Sequence, residues 1–172
     1  AAKYYPHEQI VLLRNVEKGG IPCGIPYMIS SLKTPEENML KLDSLSKQGI
    51  EVILDEAQKI DRESKKVTGK NQDYRYEKLI LAMGSLPIII PVPGVDKKGV
   101  YPVYKNMEYL KKSLQEIKQG RNVLILGGGF IGIEFADELS RVDGLNIYLA
   151  ELLPHLLANS FDCEFSKLAE EK

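Results

Sequence analysis

The sequence predicts an α/β fold with two parallel-sheet domains in series, and three observations support this prediction. Short, continuously apolar runs of the kind that are buried in parallel sheets recur along the 172 residues. A glycine-rich turn joins one of these runs to a helix, as in a βαβ unit. Closely spaced strand candidates between residues 50 and 76 indicate a small antiparallel insertion in the first domain.

The composition excludes several classes of protein. Hydrophobic residues make up 44% of the chain and charged residues 27%, as in a globular protein with a core. A formal net charge of −1 provides no general attraction to nucleic acid or to an anionic membrane, so we expect neither as a partner. The two cysteines, Cys23 and Cys163, form no C-x-x-C pair, which suits a reducing compartment. Because the sequence has no signal-peptide pattern, the predicted location is the cytoplasm.

The first half of the chain begins with a buried strand over residues 9–14, which leads into a loop rich in glycine and proline. Thr34 and Pro35 suit a helix N-cap and a first helical position, and the pattern predicts a helix that continues to Gly49. Another buried strand is predicted over residues 79–83. The strand candidates of the insertion are residues 51–54, 57–61, 65–68 and 74–76.

A proline-rich stretch separates the two halves of the chain. Four prolines between residues 86 and 103 remove donors that a sheet needs, so this stretch is predicted to connect two domains. The predicted domains are residues 1–103 and 104–172, and a helix over residues 106–118 opens the second. The chain starts without a methionine and ends within a predicted helix, so we expect both domains to be incomplete.

The turn after residue 126 carries the most informative motif. A predicted strand over residues 122–126 is followed by Gly127, Gly129 and Gly132 in the spacing G-x-G-x-x-G, with Phe130 and Ile131 opening a helix. The first glycine permits a tight turn, the second lets the backbone approach a pyrophosphate, and the third lets helix and strand pack closely. The amides at the helix N-terminus would then face the phosphates.

An acidic residue completes this motif. A second predicted strand, over residues 145–150, ends at Glu151, about 20 positions beyond the glycines, where a carboxylate accepts a hydrogen bond from a ribose 2′-hydroxyl. Strand, glycine turn, helix, strand and acid in this order predict a Rossmann-like dinucleotide-binding domain.

The segment Pro-Cys-Gly-Ile-Pro-Tyr around Cys23 is the second informative feature. Pro26 suits the first turn of a helix, which would place Cys23 near a helix N-terminus, where the dipole favours the reactive thiolate. The alternative is a cysteine that acts only as a small hydrophobic residue in a proline-rich loop.

Four segments follow one another along the chain: PCGIPY, LILAMGSLP, PVPGVD and LGGGFIGIEFADEL. Together they resemble the flavin-dependent pyridine nucleotide–disulfide oxidoreductases, and most closely the single-cysteine branch of NADH oxidases, NADH peroxidases and coenzyme A disulfide reductases. The resemblance implies two Rossmann-like domains in series, of which the first binds FAD and the second binds NADH, with NADPH less favoured. It also implies a homodimer.

The resemblance assigns roles to individual residues. Cys23 matches the redox cysteine beside the flavin, and Glu134 matches a glutamate near the nicotinamide and the flavin. The glycines of the turn match the pyrophosphate site, and Glu151 matches the acid that favours NADH over NADPH. Lys3 lies where members that use coenzyme A place a basic residue.

Other positions agree with the family's pattern only in part. Ala82, Gly84 and Ser85 match a strand end that passes close to the flavin nucleotide, but Met83 stands where threonine is more common. Arg14 lies at the strand end where an acidic residue usually holds the flavin ribose. The family's first strand and its flavin-binding glycine turn are not found in this sequence.

These matches predict an enzyme in which NADH reduces FAD and electrons pass to Cys23. The acceptor would be a small disulfide or persulfide of the coenzyme A type, or else O₂ or peroxide, because a lone cysteine can hold an external thiol or be oxidised by peroxide. Two alternatives remain open. One is a flavin reductase that donates electrons to a protein such as rubredoxin, in which Cys23 is incidental, and the other is a non-catalytic NAD-binding module.

Overall fold

The computed structural model describes residues 2–171, which form two compact units. The first unit comprises residues up to Gly19 together with Leu40–Leu86, and the second comprises Gly20–Met39 together with residues from Pro87 onward. Each unit contains one parallel pair of strands, which confirms the α/β class. The segment Gly20–Met39, here named the cysteine segment, packs within the second unit. The boundary at residues 103 and 104 stays a prediction.

The first unit is built on strands β1 (Ile10–Arg14) and β2 (Ile50–Leu54), which pair in parallel with Ile10 opposite Ile50. Three antiparallel strands follow in the order β3-β4-β5, which confirms the predicted insertion for three of its four strand candidates. The fourth candidate, residues 51–54, was wrongly assigned to the insertion, because it lies in β2 of the parallel pair. Their bounds are Ala57–Asp61, Lys66–Gly69 and Asp73–Arg75.

Asp55 connects β2 to this insertion and is 4% exposed. Its carboxylate accepts hydrogen bonds from the Tyr74 hydroxyl at 2.8 Å, from the Asn71 side chain at 3.0 Å and from the Lys70 backbone at 3.1 Å. Burial by itself raises the pKa of Asp55, but the hydrogen bonds from the Tyr74 hydroxyl and from backbone amides, first that of Glu56 and then that of Asn71, outweigh it, so the pKa lies below its ordinary value. The buried carboxylate therefore holds the β4–β5 turn in place.

The predicted helix from Thr34 to Gly49 is wrong. A 3₁₀ turn, Pro35–Asn38, and a short helix α1, Asp43–Ser46, replace it. Met39 between them has an extended backbone and forms a bridge with Gly20. Because this pairing fixes the backbone outside the helical region, a continuous helix cannot form, although its leucines have helical spacing.

The predicted strand over residues 79–83 is also wrong, since no regular element lies between β5 and residue 107. An apolar run forms a strand only where another strand provides ladder hydrogen bonds, and no other strand of residues 2–171 pairs with it. Ile80 and Met83 are 77% and 80% exposed. Ile80 and Met83 are therefore apolar without being buried by any of the described residues.

The second unit follows the prediction closely. Strands β6 (Asn122–Leu126) and β7 (Asn146–Ala150) pair in parallel. Helices α2 (Met107–Lys118) and α3 (Phe130–Ser140) pack with them, and α4 (Cys163–Glu170) follows. Asn106 caps α2 by accepting a hydrogen bond from the Tyr109 backbone at 2.9 Å. The buried core consists of Ile25, Met28, Ile29, Met107, Leu110, Leu114, Phe135 and Leu139.

Among residues 2–171, no helix combines the length and the apolar character needed to cross a membrane.

Candidate functional site

The glycine turn leaves β6 through a backbone that only glycine adopts readily. The Gly127 amide donates to the Ala150 carbonyl at 2.8 Å, and Gly127 has a φ of +108°. A Cβ atom on Gly132 would lie 1.9 Å from the Gly127 carbonyl oxygen. The first and third glycines therefore permit the tight turn and the close packing of α3 on β6.

Gly129, the second glycine of the motif, leaves space for a ligand. It is the N-cap residue of α3, and a Cβ atom placed on it would meet no atom within 4 Å. No side chain caps the helix, so the first-turn amides that lack intrahelical partners remain available to an anion. Phe130 and Ile131, which open the helix, are exposed. This arrangement fits a nucleotide pyrophosphate.

Glu151 follows β7 and contacts the same turn. One carboxylate oxygen accepts from the Gly128 amide at 2.6 Å, and the other accepts from the Leu153 amide at 2.9 Å. The backbone hydrogen bonds from Leu153 and then Gly128 hold the pKa of Glu151 below its ordinary value. Because a carboxylate has about four acceptor positions, Glu151 retains capacity for a ribose hydroxyl.

Cys23 is exposed and lies in a single 3₁₀ turn, Pro22–Gly24, which a second such turn, Pro26–Met28, follows. The expected helix at Pro26 is therefore wrong, and the dipole argument for the thiolate has no α-helix to support it. A Cβ atom on Gly24 would lie 1.9 Å from Asn38 Oδ1, and Asn38 Nδ2 donates to the Ile21 carbonyl at 3.0 Å. This close packing fixes the backbone at the cysteine.

Glu138 on α3 anchors the cysteine segment. Its side chain is 1% exposed. One carboxylate oxygen accepts from the Ser30 hydroxyl at 2.6 Å, from the Ser31 amide at 2.9 Å and from the Ser30 amide at 3.2 Å. The other accepts from the Ser31 hydroxyl at 2.5 Å and from Arg141 at 2.8 Å. Burial opposes ionisation, but the hydrogen bonds from Ser30 and Ser31 outweigh it and lower the pKa of Glu138 to about 2.

The remaining predicted site residues lie in both units. Glu134 is half-buried on α3, one helical turn before Glu138. Arg14 ends β1, and its carbonyl accepts from the Asp55 amide at 2.9 Å. Ala82, Gly84 and Ser85 lie in the irregular part of the first unit, where Gly84 has a φ of +72°. Lys3 lies over the Tyr4 ring, with its Nζ 5.7 Å from the ring centroid. Their roles toward a flavin or coenzyme A stay predictions.

Sequence reasoning missed three features of the second unit. Gly128 is buried, and a Cβ atom there would lie 2.4 Å from Leu156 Cδ2, although the motif leaves this position open. Glu138 is one of three acids on α3, together with Glu134 and Asp137, and the sequence does not mark it as the buried one. His155 contacts Glu170 and Cys163, and no local spacing reveals that contact.

The chain matches the family described as pyridine nucleotide-disulphide oxidoreductase over residues 3–172. It is 32% identical over 157 residues to an NAD(P)H coenzyme A polysulfide/persulfide reductase of Pyrococcus horikoshii, covering 88% of this chain and 35% of that protein. It is 28% identical to an NADH oxidase of Lactococcus lactis, covering 98% of this chain and 40% of that protein. A ferredoxin reductase structure from Rhodopseudomonas palustris has a TM-score of 0.83 and 27% identity, covering 99% of this chain and 42% of that one.

The chain thus spans about 35 to 40% of the length of these curated relatives. The match confirms the resemblance inferred from the four sequence segments. It also confirms, for the family, the predicted class of NAD(P)H-dependent flavoprotein oxidoreductases and the cofactors FAD and NADH. The chain belongs to the pyridine nucleotide-disulphide oxidoreductase family.

Proposed function

We propose that the full-length protein is an NADH-dependent flavoprotein oxidoreductase that passes electrons to a small acceptor through Cys23. One observation carries this proposal: α3 begins at the glycine turn and also holds the cysteine segment through Glu138. A single helix therefore positions both the proposed nucleotide site and the segment that bears the proposed redox thiol.

The second unit contains the residues that would hold NADH. The amides of the first turn of α3 would bind the pyrophosphate, and the open space at Gly129 would admit it. Glu151 would accept a hydrogen bond from the ribose 2′-hydroxyl and would repel a 2′-phosphate, which favours NADH over NADPH. Glu134 would lie near the nicotinamide. Bound NADH and FAD supply the electron-transfer chemistry, and Arg14, Ala82, Gly84 and Ser85 are the proposed flavin contacts.

Cys23 determines which acceptors the protein can use. The cysteine segment contains no second cysteine, so the thiol reacts with an external partner. Attack on a small disulfide forms a mixed disulfide and releases one thiolate, whereas reaction with peroxide forms a sulfenic acid and releases water. The name of the Pyrococcus horikoshii relative, a coenzyme A polysulfide/persulfide reductase, supports a small sulfur acceptor.

The test replaces Cys23 with serine in the full-length protein. We expect NADH-dependent reduction of coenzyme A disulfide and persulfide to be lost. Reduction of ferricyanide, which takes electrons from a flavin without a thiol, should continue and serves as the internal control. Unchanged disulfide, persulfide and peroxide reduction would overturn the thiol route.

A protein acceptor is the second candidate, and the similarity to a ferredoxin reductase favours it. In that case Cys23→Ser would leave electron transfer to a small redox protein, such as a rubredoxin or a ferredoxin, unchanged.

A non-catalytic NAD-binding module would show no flavin absorption that bleaches on addition of NADH. The homodimer implied by the resemblance is part of the proposal, and size-exclusion chromatography of the full-length protein tests it.

A further inference from the structure

Three side chains at the end of the second unit form a connected chain of contacts. Cys163 Sγ lies 3.4 Å from His155 Nε2, and His155 Nδ1 lies 3.2 Å from Glu170 Oε1. Cys163 is exposed, while the side chains of His155 and Glu170 are 30% and 36% exposed. The sequence of contacts is thiol, imidazole and carboxylate, in which the imidazole lies between the other two.

The secondary structure fixes this arrangement. Asp162 caps α4 by accepting from the Phe165 amide at 3.1 Å, so the helix begins at Cys163. Glu170 lies about two helical turns later and on the same face. The loop that carries His155 is held at two neighbouring points, since the Leu156 amide donates to Glu170 at 3.0 Å and the Leu157 amide donates to the Gly128 carbonyl at 2.9 Å.

The hydrogen bonds also favour one tautomer of the His155 imidazole. The Leu156 amide and then His155 lower the pKa of Glu170, against the opposing effect of burial, so this carboxylate is ionised near neutral pH. An ionised carboxylate can only accept hydrogen bonds, so in the neutral imidazole Nδ1 of His155 donates to Glu170 and Nε2 is left to accept. The nitrogen that faces the thiol is therefore the one that can remove its proton.

We propose that Cys163, His155 and Glu170 form a second thiol-exchange site, distinct from Cys23, that reacts with small disulfides. His155 Nε2 takes the proton from the Cys163 thiol, and the resulting thiolate attacks one sulfur of the disulfide. A new S–S bond to Cys163 forms as the disulfide bond breaks, and the released thiolate takes the proton from His155. Cys163 then carries one half of the disulfide, and the other half leaves as a thiol.

This assignment explains why the three residues form a chain. A metal site needs ligands that converge on one point, whereas here each nitrogen of His155 has its own partner on either side. Within residues 2–171 no group of three or more histidine, cysteine or acidic side chains could hold a metal ion.

The test uses the full-length protein with Cys23 replaced by serine, so that Cys23 cannot transfer a disulfide to Cys163. The probe is glutathione disulfide, and peptide mass spectrometry follows the adduct on Cys163 with time. We expect His155→Ala to slow adduct formation about tenfold. Glu170→Gln, which keeps an acceptor for the Leu156 amide, should slow it several-fold. Circular dichroism confirms that each variant is folded.

Two matched controls separate the specific contacts of His155 and Glu170 from a general effect of nearby charge on the thiol. His7→Ala removes the other histidine of the chain and should leave the rate unchanged. Glu164→Gln removes a negative charge next to the thiol and should leave the rate unchanged or raise it, whereas Glu170→Gln should lower it. Equal rates in the parent and in folded His155→Ala, or equal slowing by Glu164→Gln and Glu170→Gln, would overturn the proposal.

Discussion

Replacement of Glu138 by alanine should destabilise the second unit strongly. The folded pKa of about 2 lies well below the ordinary value of 4.5. At about 1.4 kcal/mol per pH unit, this difference corresponds to about 3 kcal/mol of stabilisation near neutral pH. The loss of one partner from a buried charged network is expected to cost a similar amount, about 3–5 kcal/mol.

The direction of the pH dependence follows from the same difference. The folded pKa is depressed, so the stabilisation is complete above pH 4.5 and is lost as the pH falls toward 2. Urea denaturation followed by circular dichroism measures the free energy of unfolding. The parent protein should lose stability across this range, and Glu138→Ala should lose less because it lacks the titrating group.

Asp137→Ala provides the matched control. Asp137 is the neighbouring carboxylate on α3, is 60% exposed and pairs with Arg141 on the surface. Its removal should cost less than about 1 kcal/mol. The reasoning is refuted if Glu138→Ala costs less than about 1 kcal/mol at neutral pH, or if the two alanine variants unfold at the same urea concentration.

Four further predictions follow from the two units. Gly129→Ala should leave the melting temperature unchanged, because the new Cβ atom meets no protein atom within 4 Å. It should weaken NADH binding in calorimetry, because that Cβ atom would occupy the space proposed for the pyrophosphate. Gly132→Ala should lower both the melting temperature and the affinity for NADH, since its Cβ atom would clash with the Gly127 backbone. The expected loss in the free energy of unfolding is about 1–3 kcal/mol or more. Asp55→Asn should lower the melting temperature and speed amide exchange over residues 69–72, the turn that its carboxylate holds. Asn106→Ala should cost about 1 kcal/mol in denaturant unfolding through loss of the α2 cap.

The second unit could be predicted from the sequence because its signals are local. A strand, a glycine with a left-handed backbone and a helix follow one another within residues 122–140. The structure reproduces the backbone reason for Gly127 and the steric reason for Gly132. The position of Glu151 beside the turn follows from the parallel pairing of β6 and β7. Local pattern and tertiary structure agree in this region.

The sequence-based predictions failed where contacts between residues far apart in the sequence determine the local structure. The leucines after Thr34 have helical spacing, but the pairing of Met39 with Gly20 breaks the helix. Residues 79–83 have the composition of a buried strand, but strand formation requires a partner that the described residues do not provide. Glu138 was missed for the same reason, because its donors Ser30 and Ser31 lie more than a hundred positions away.

The most direct test of the central proposal follows the chemical state of Cys23 in the full-length protein. The protein is incubated with coenzyme A disulfide and desalted, and mass spectrometry measures the coenzyme A adduct on the peptide that contains Cys23. An equimolar amount of NADH is then added without air. We expect the adduct to form on Cys23 and to disappear as NADH is consumed. An adduct on Cys23 that persists while NADH is oxidised, or the absence of any adduct on Cys23, would contradict it.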